Sequence, residues 1–116
     1  MNGYLLITLP FVWDEHEIPY DFARYTSFGI KHILETHGFE VVDSKKTTNY
    51  VETIFQMWGA YVSQHILKNK ILRILLNPLI VFPIILCGII LSKILPANSN
   101  FYHNNIVLAR KIVAKT

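Results

Sequence analysis

Apolar and polar positions alternate along the chain in a way that divides it into a few elements. The first is Tyr4-Leu5-Leu6-Ile7-Thr8-Leu9-Pro10, a short and nearly continuous apolar run. Such a run predicts a strand covered on both faces, as in a parallel sheet, with Pro10 as its stop. A strand of that kind needs neighbours on both sides, and the residues before it supply none. Residues 11–25 read as a polar and aromatic loop with an acidic cluster. Thr26 then offers an N-cap, Phe28, Ile30, Ile33, Leu34 and His37 recur at helical spacing, and Gly38 marks the stop. Phe39-Glu40-Val41-Val42 follows at once as a second strand. The order strand, loop, helix, strand predicts an α/β sheet.

Residues 48–68 predict a second helix, because Val51, Ile54, Phe55, Trp58, Tyr61, Val62 and Ile66 form a stripe at three-four spacing. His65, Lys68 and Lys70 suit its C-terminal end. Residues 74–92 are almost uninterruptedly apolar between Arg73 and Lys93, a length approaching the ~20 residues that cross a bilayer. Pro78 and Pro83 lie inside this run and predict a break or a kink. Residues 96–100 read as a turn, and residues 101–113 as a last strand centred on Ile106-Val107-Leu108-Ala109. The chain thus divides into a strand-loop-helix-strand segment (residues 1–48), a helical insertion (49–97) and a final strand (98–116).

Three readings of residues 74–92 stand side by side. They are a helical insertion packed on the domain or on another subunit, a membrane-associated helix or hairpin, and a spanning helix. Lys68, Lys70 and Arg73 on one flank and Lys93 on the other suit a membrane interface. A single span would separate two strands that the sheet needs side by side.

Composition narrows the classes. The 116 residues allow one small domain or part of a larger one, with a modest core. Hydrophobic residues make up 52% and charged residues 16%, against a usual charged share of about 25%, so some apolar surface is expected to face a partner, a missing domain or lipid. The net charge of +3 is spread along the chain without a basic run interleaved with aromatics, which argues against a nucleic-acid partner. Cys87 is the only cysteine and is expected to be a buried, inert thiol in a reducing compartment. The N-terminal residues lack the basic start and long apolar core of a signal peptide, so a cytoplasmic location, with membrane association as an option, is the expectation.

The most informative stretch runs from Leu9-Pro10 through His16-Glu17-Ile18-Pro19-Tyr20-Asp21 to Arg24-Tyr25-Thr26, with Gly38-Phe39-Glu40 after the first helix. It resembles one branch of the S-adenosylmethionine-dependent methyltransferases often labelled type 11. There a strand ends in Pro, a His-Glu-x-Pro-Tyr-Asp loop follows, Arg-Tyr-Thr leads into a helix, and Gly-Phe-Glu opens the next strand. The end of the chain, Phe101-Tyr102-His103-Asn104-Asn105-Ile106-Val107-Leu108-Ala109-Arg110-Lys111, is similar to that family's closing strand. The resemblance implies the C-terminal part of a Rossmann-like sheet, with Tyr4–Pro10 as its fifth strand and Val41-Val42 as its sixth. Residues 106–109 would be the seventh, running antiparallel between its neighbours. It also implies a parent enzyme whose cofactor, S-adenosylmethionine, is held after the first two strands. No G-x-G-x-x-G or similar cluster occurs among the five glycines, so no cofactor binding is expected of this chain alone.

In such folds ligands bind at the carboxyl ends of the strands, which places the loop after Pro10 beside the acceptor. On that implication His16, Glu17 and Asp21 are the candidate catalytic residues, as a general base or as groups fixing the acceptor. Trp13, Tyr20 and Arg24 are the candidate substrate-binding residues, for a small-molecule or lipid-linked acceptor. The same residues carry a structural reading, in which Arg24 pairs with Asp14, Asp21 or Glu17 to shape the loop. His-Glu here lacks the second His of a helical zinc motif, so no metal is expected. Two rival functions remain open. One is a small membrane-associated protein without enzymatic activity. The other is a module that completes a separately encoded methyltransferase half, or associates with its own copies.

Overall fold

A computed structural model describes residues 3–112, which fall into two compact units. The first holds Met1–Thr47 and His103–Thr116 and is α/β. Its elements are β1 (Tyr4–Pro10), α1 (Ser27–Thr36), β2 (Phe39–Lys46) and β3 (Asn104–Lys111). The sheet order is β1-β3-β2, with β3 antiparallel to both neighbours. β1 and β2 therefore run in the same direction with β3 between them, the arrangement that the resemblance implied. Leu6 faces Leu108 across one ladder, and Val41 faces Ala109 across the other. A bulge between Val41 and Asp43 shifts the second register.

α1 forms where its caps predict. Thr26 Oγ1 accepts from Gly29 N at 3.0 Å, and Gly38, at φ 75°, takes the left-handed turn that leads into β2. Ile30 and Leu34 pack with Val107 and Ala109, and Leu5, Ile7, Leu9, Phe39 and Val41 close around them. Phe28 does not join this face but is 82% exposed. Two residues before Ile30, it lies about 200° around the helix from the buried side.

β1 is not covered on both faces. Leu5, Ile7 and Leu9 turn toward the core, while Tyr4 and Leu6 are 64% and 68% exposed. It is an edge strand with apolar residues on its open face. β3 begins at Asn104, three residues later than the apolar pattern predicts; Val113 and the segments' outermost residues lie outside those described.

The second unit, Thr48–Tyr102, is a helical hairpin. α2 (Tyr50–Tyr61) continues as a π-helical turn (Val62–Ile66), and α3 (Lys70–Ile94) follows. Asn49 starts α2 with a capping box: Glu52 N donates to Asn49 Oδ1 at 3.0 Å, and Asn49 N donates to Glu52 Oε2 at 3.2 Å. Asn69 caps α3 by accepting from Ile71 N at 2.9 Å. The helices run antiparallel, with Gly88 against Phe55 and Gly59 against Val81 and Ile85. Asn77 Nδ2 donates to Ser63 Oγ at 3.0 Å, and Ser92 Oγ donates to Glu52 Oε1 at 2.8 Å.

Two expectations for this segment, the break at the prolines and the burial of Cys87, are corrected. Pro78 and Pro83 do not break the run; α3 is continuous through both. Each proline removes one i to i−4 hydrogen bond, and both stand on the exposed side, where the rest of a 25-residue ladder carries the helix past them. The apolar stripe of α2 is split between two sides: Val62 is buried and Phe55 meets Gly88, while Ile54, Trp58, Tyr61 and Ile66 are exposed. Cys87 is exposed rather than buried, because it projects from α3 away from α2. By length and composition α3 is able to cross a membrane, with a mean hydropathy of 2.7 and 6% of that window buried.

Candidate functional site

Residues 11–26 leave the C-terminal end of β1 and return to α1, and they are held from below by the start of β3. Phe11 N and Val12 N donate to His103 O at 2.6 and 3.2 Å. His103 Nδ1 lies 3.0 Å from Val12 O, and its ring meets Trp13 edge to face at 5.3 Å. At the far end of the loop, Asn105 Nδ2 donates to Tyr25 O at 2.7 Å. His103 and Asn105 are buried, at 5% and 0% exposure, so the loop is anchored by polar contacts out of reach of water.

Within the loop an ionic knot forms. Arg24 pairs through both terminal nitrogens with the Asp21 carboxylate, at 2.5 Å for the Nη2–Oδ2 contact. Arg24 Nη2 also donates to Asp14 O at 3.0 Å. Asp21 Oδ2 accepts from His16 N at 3.0 Å and lies 3.5 Å from His16 Nδ1. The Arg24 hydrogen bond, followed by the His16 amide, lowers the Asp21 carboxyl from 3.8 to about 2, and the same pairing raises the Arg24 guanidinium. A carboxylate held so low is a poor proton acceptor at neutral pH. Asp21 orients Arg24 and ties the loop to itself.

The structure therefore brings His16, Asp21 and Arg24 together and places Trp13 beside them. Trp13, Glu15, Asp21, Phe22, Ala23 and Arg24 line a shallow concavity of about 270 Å3. Glu17 and Tyr20 sit instead in a tight turn, closed by Tyr20 N donating to Glu17 O at 2.8 Å and containing the cis Ile18–Pro19 bond. Glu17 is left-handed at φ 57°, and Tyr20, 73% exposed, leans edge-on against Phe22. His16 does not line the concavity but lies beside it, bonded through its amide to Asp21, and Arg24 is committed to Asp21.

His103 and Asn105 fall within the last strand that the sequence predicts and are not among its candidate site residues. A polar triplet, His103-Asn104-Asn105, at the head of an apolar strand was the available signal. Glu15, which lines the concavity, carried none. Among the described residues no group of three or more His, Cys, Asp or Glu is placed to hold a metal ion. The left-handed glycine, Gly38, serves the end of α1, and Thr26 caps the first turn of α1, so among the described residues no glycine-lined cradle faces the α1 N-terminus. No protein-family model, curated protein or solved structure matches the chain.

Proposed function

We propose that this chain forms the acceptor-side end of the sheet of a Rossmann-like, S-adenosylmethionine-dependent methyltransferase and is inactive by itself. One observation carries the reading: the order β1-β3-β2, in which an antiparallel strand separates two parallel ones joined through α1. The resemblance implies this order for its fifth, seventh and sixth strands. The open, apolar face of β1 supports it further, since Tyr4 and Leu6 then wait for the rest of the sheet and its helices. The cofactor, which supplies the activated methyl group, belongs with that other half. The loop contributes the acceptor pocket, with Trp13 as a wall and Arg24 and Asp21 as its floor, and His16, held against Asp21 beside that pocket, is the proposed proton acceptor.

The test is calorimetric titration with S-adenosylmethionine of the chain alone and of the complex it forms in its native host. The complex is expected to bind the cofactor and pass a tritiated methyl group to an acceptor in a cell extract. The chain alone is expected to give no heat; micromolar binding by it overturns the proposal. The exposed apolar surface of α3 favours a second reading, a membrane-associated protein without enzymatic activity. A complex that transfers no methyl group while remaining in a carbonate-washed membrane pellet would select that reading.

A further inference from the structure

We infer that the α2–α3 hairpin is a bilayer anchor that enters and leaves the lipid on one side. Polarity is distributed around the hairpin unlike that of a water-soluble one. A water-soluble hairpin hides its large apolar side chains between its helices and turns polar ones outward. Here the helices meet at Gly59, against Val81 and Ile85, and at Gly88, against Phe55, with two polar pairs, Asn77–Ser63 and Ser92–Glu52, between them. The outer surface holds Trp58, Ile74, Leu79 and Phe82, each more than half exposed. Small residues and interhelical hydrogen bonds inside, with bulky hydrocarbon outside, is how helices associate in lipid.

The spread of apolar residues around α3 distinguishes lipid from a protein partner. A docked protein covers one side of a helix. The exposed apolar residues of α3 go around it: Ile71, Leu75, Leu79 and Phe82 fall on one side, while Ile80 and Leu91 are turned about half way round from them. Only the strip facing α2 is spared, as for a helix surrounded by hydrocarbon. Length and charge agree. The uncharged core, residues 74–92, extends about 28 Å, close to the ~30 Å of the hydrocarbon layer. Lys68, Lys70 and Arg73 stand at one end of it and Lys93 at the other, where lipid phosphates lie.

A hairpin also removes the objection to a single span. The residues that bracket the segment are bonded to each other, with His103 N donating to Thr47 O at 3.3 Å and Thr47 N donating to Asn104 O at 3.0 Å. The chain must return to where it left, and two antiparallel helices do that where one would not. This inference rests on the hairpin alone and stands or falls separately from the methyltransferase reading.

The native chain carries its own probes, since Cys87 on α3 is exposed and Trp58 is on the outer side of α2. The test uses vesicles of equimolar phosphatidylcholine and phosphatidylglycerol and a Trp13→Phe variant, which leaves Trp58 as the one tryptophan. The chain is expected to float with the vesicles. Cys87 should lose its reaction with a membrane-impermeant maleimide, and Trp58 should be quenched by lipids brominated in the acyl chain. Leu79→Arg, at a position 72% exposed and so free of packing, should keep its helical dichroism in water yet weaken vesicle binding about a hundredfold. Two outcomes overturn the inference. In one the chain stays unbound, with Cys87 reactive and Trp58 open to aqueous quencher. In the other a soluble oligomer shields both probes without vesicles, which makes a second copy the occupant.

Discussion

Gly88 lies so close to Phe55 that a Cβ built on it would stand 2.5 Å from the Phe55 Cβ. That atom is fixed to the α2 backbone, so neither helix is able to yield without the other shifting. The gain in helix propensity from Gly88→Ala, about 1 kcal/mol, is therefore set against an overpacking cost of roughly 1–3 kcal/mol. Net destabilisation of the hairpin is expected, read as an earlier loss of helical dichroism on heating. Gly59→Ala is the contrast. Its new Cβ would meet the end of the Val81 side chain at 3.2 Å, which a small rotation relieves, and that variant should be neutral or slightly stabilised.

The Asp21–Arg24 pair sets a dependence on pH. Because the Asp21 carboxyl is lowered from 3.8 to about 2 in the folded chain, its contribution to stability is complete above the higher value. It declines as pH falls from there toward the lower one. Asp21→Asn should remove that slope and loosen residues 14–24. Carbon-detected NMR titration of the Asp21 carboxyl gives the folded value directly. A midpoint at the ordinary position would show that Arg24 does not hold it.

Much of this was legible in the sequence, and the exceptions share a cause. Thr26 and Gly38 mark α1 because caps are local chemistry, and the apolar run of residues 4–9 marks a strand, though not that Tyr4 and Leu6 face outward. The capping box of Asn49 and Glu52, which starts α2, is equally local but lay outside the apolar pattern that predicted the helix. The direction in which Ile54 and Trp58 face was not legible, since periodicity reveals a stripe but not its solvent. Pro78 and Pro83 misled because propensity is a local penalty that a long ladder overrides. In the loop, the acidic and basic residues announced an ion pair, but which carboxylate Arg24 takes depends on the fold of residues 14–24. His103 and Asn105 act across some eighty residues or more, on Val12 and Tyr25, and no local pattern carries that information.

Asn105 offers the sharpest check on how the loop is anchored. Its Nδ2 donates to Tyr25 O at 2.7 Å from a fully buried position. Asn105→Ala leaves that carbonyl unpaired and should cost about 1–3 kcal/mol in urea unfolding. Asn105→Asp should cost more at neutral pH, because a carboxylate is unable to donate and is buried as a charge. Acidification protonates it and restores a donor, so the gap between the two variants should narrow as pH falls. If it does not, the Tyr25 contact is not what holds the loop.

Leu6 tests whether the open side of β1 is a docking surface. The residue is 68% exposed on an edge strand, and its partner across the ladder, Leu108, already pairs it on the other edge. Nothing in the folded unit depends on the Leu6 side chain, so Leu6→Lys should leave the dichroism and unfolding midpoint of the chain unchanged within about 0.5 kcal/mol. A lysine there still occupies the strand, but it places a charge where the completing half of the sheet would lay apolar surface. The complex proposed above should therefore dissociate on gel filtration while the chain stays folded, and cofactor binding by the mixture should be lost with it. A variant that keeps its complex and its cofactor binding would place the partner elsewhere than on this face.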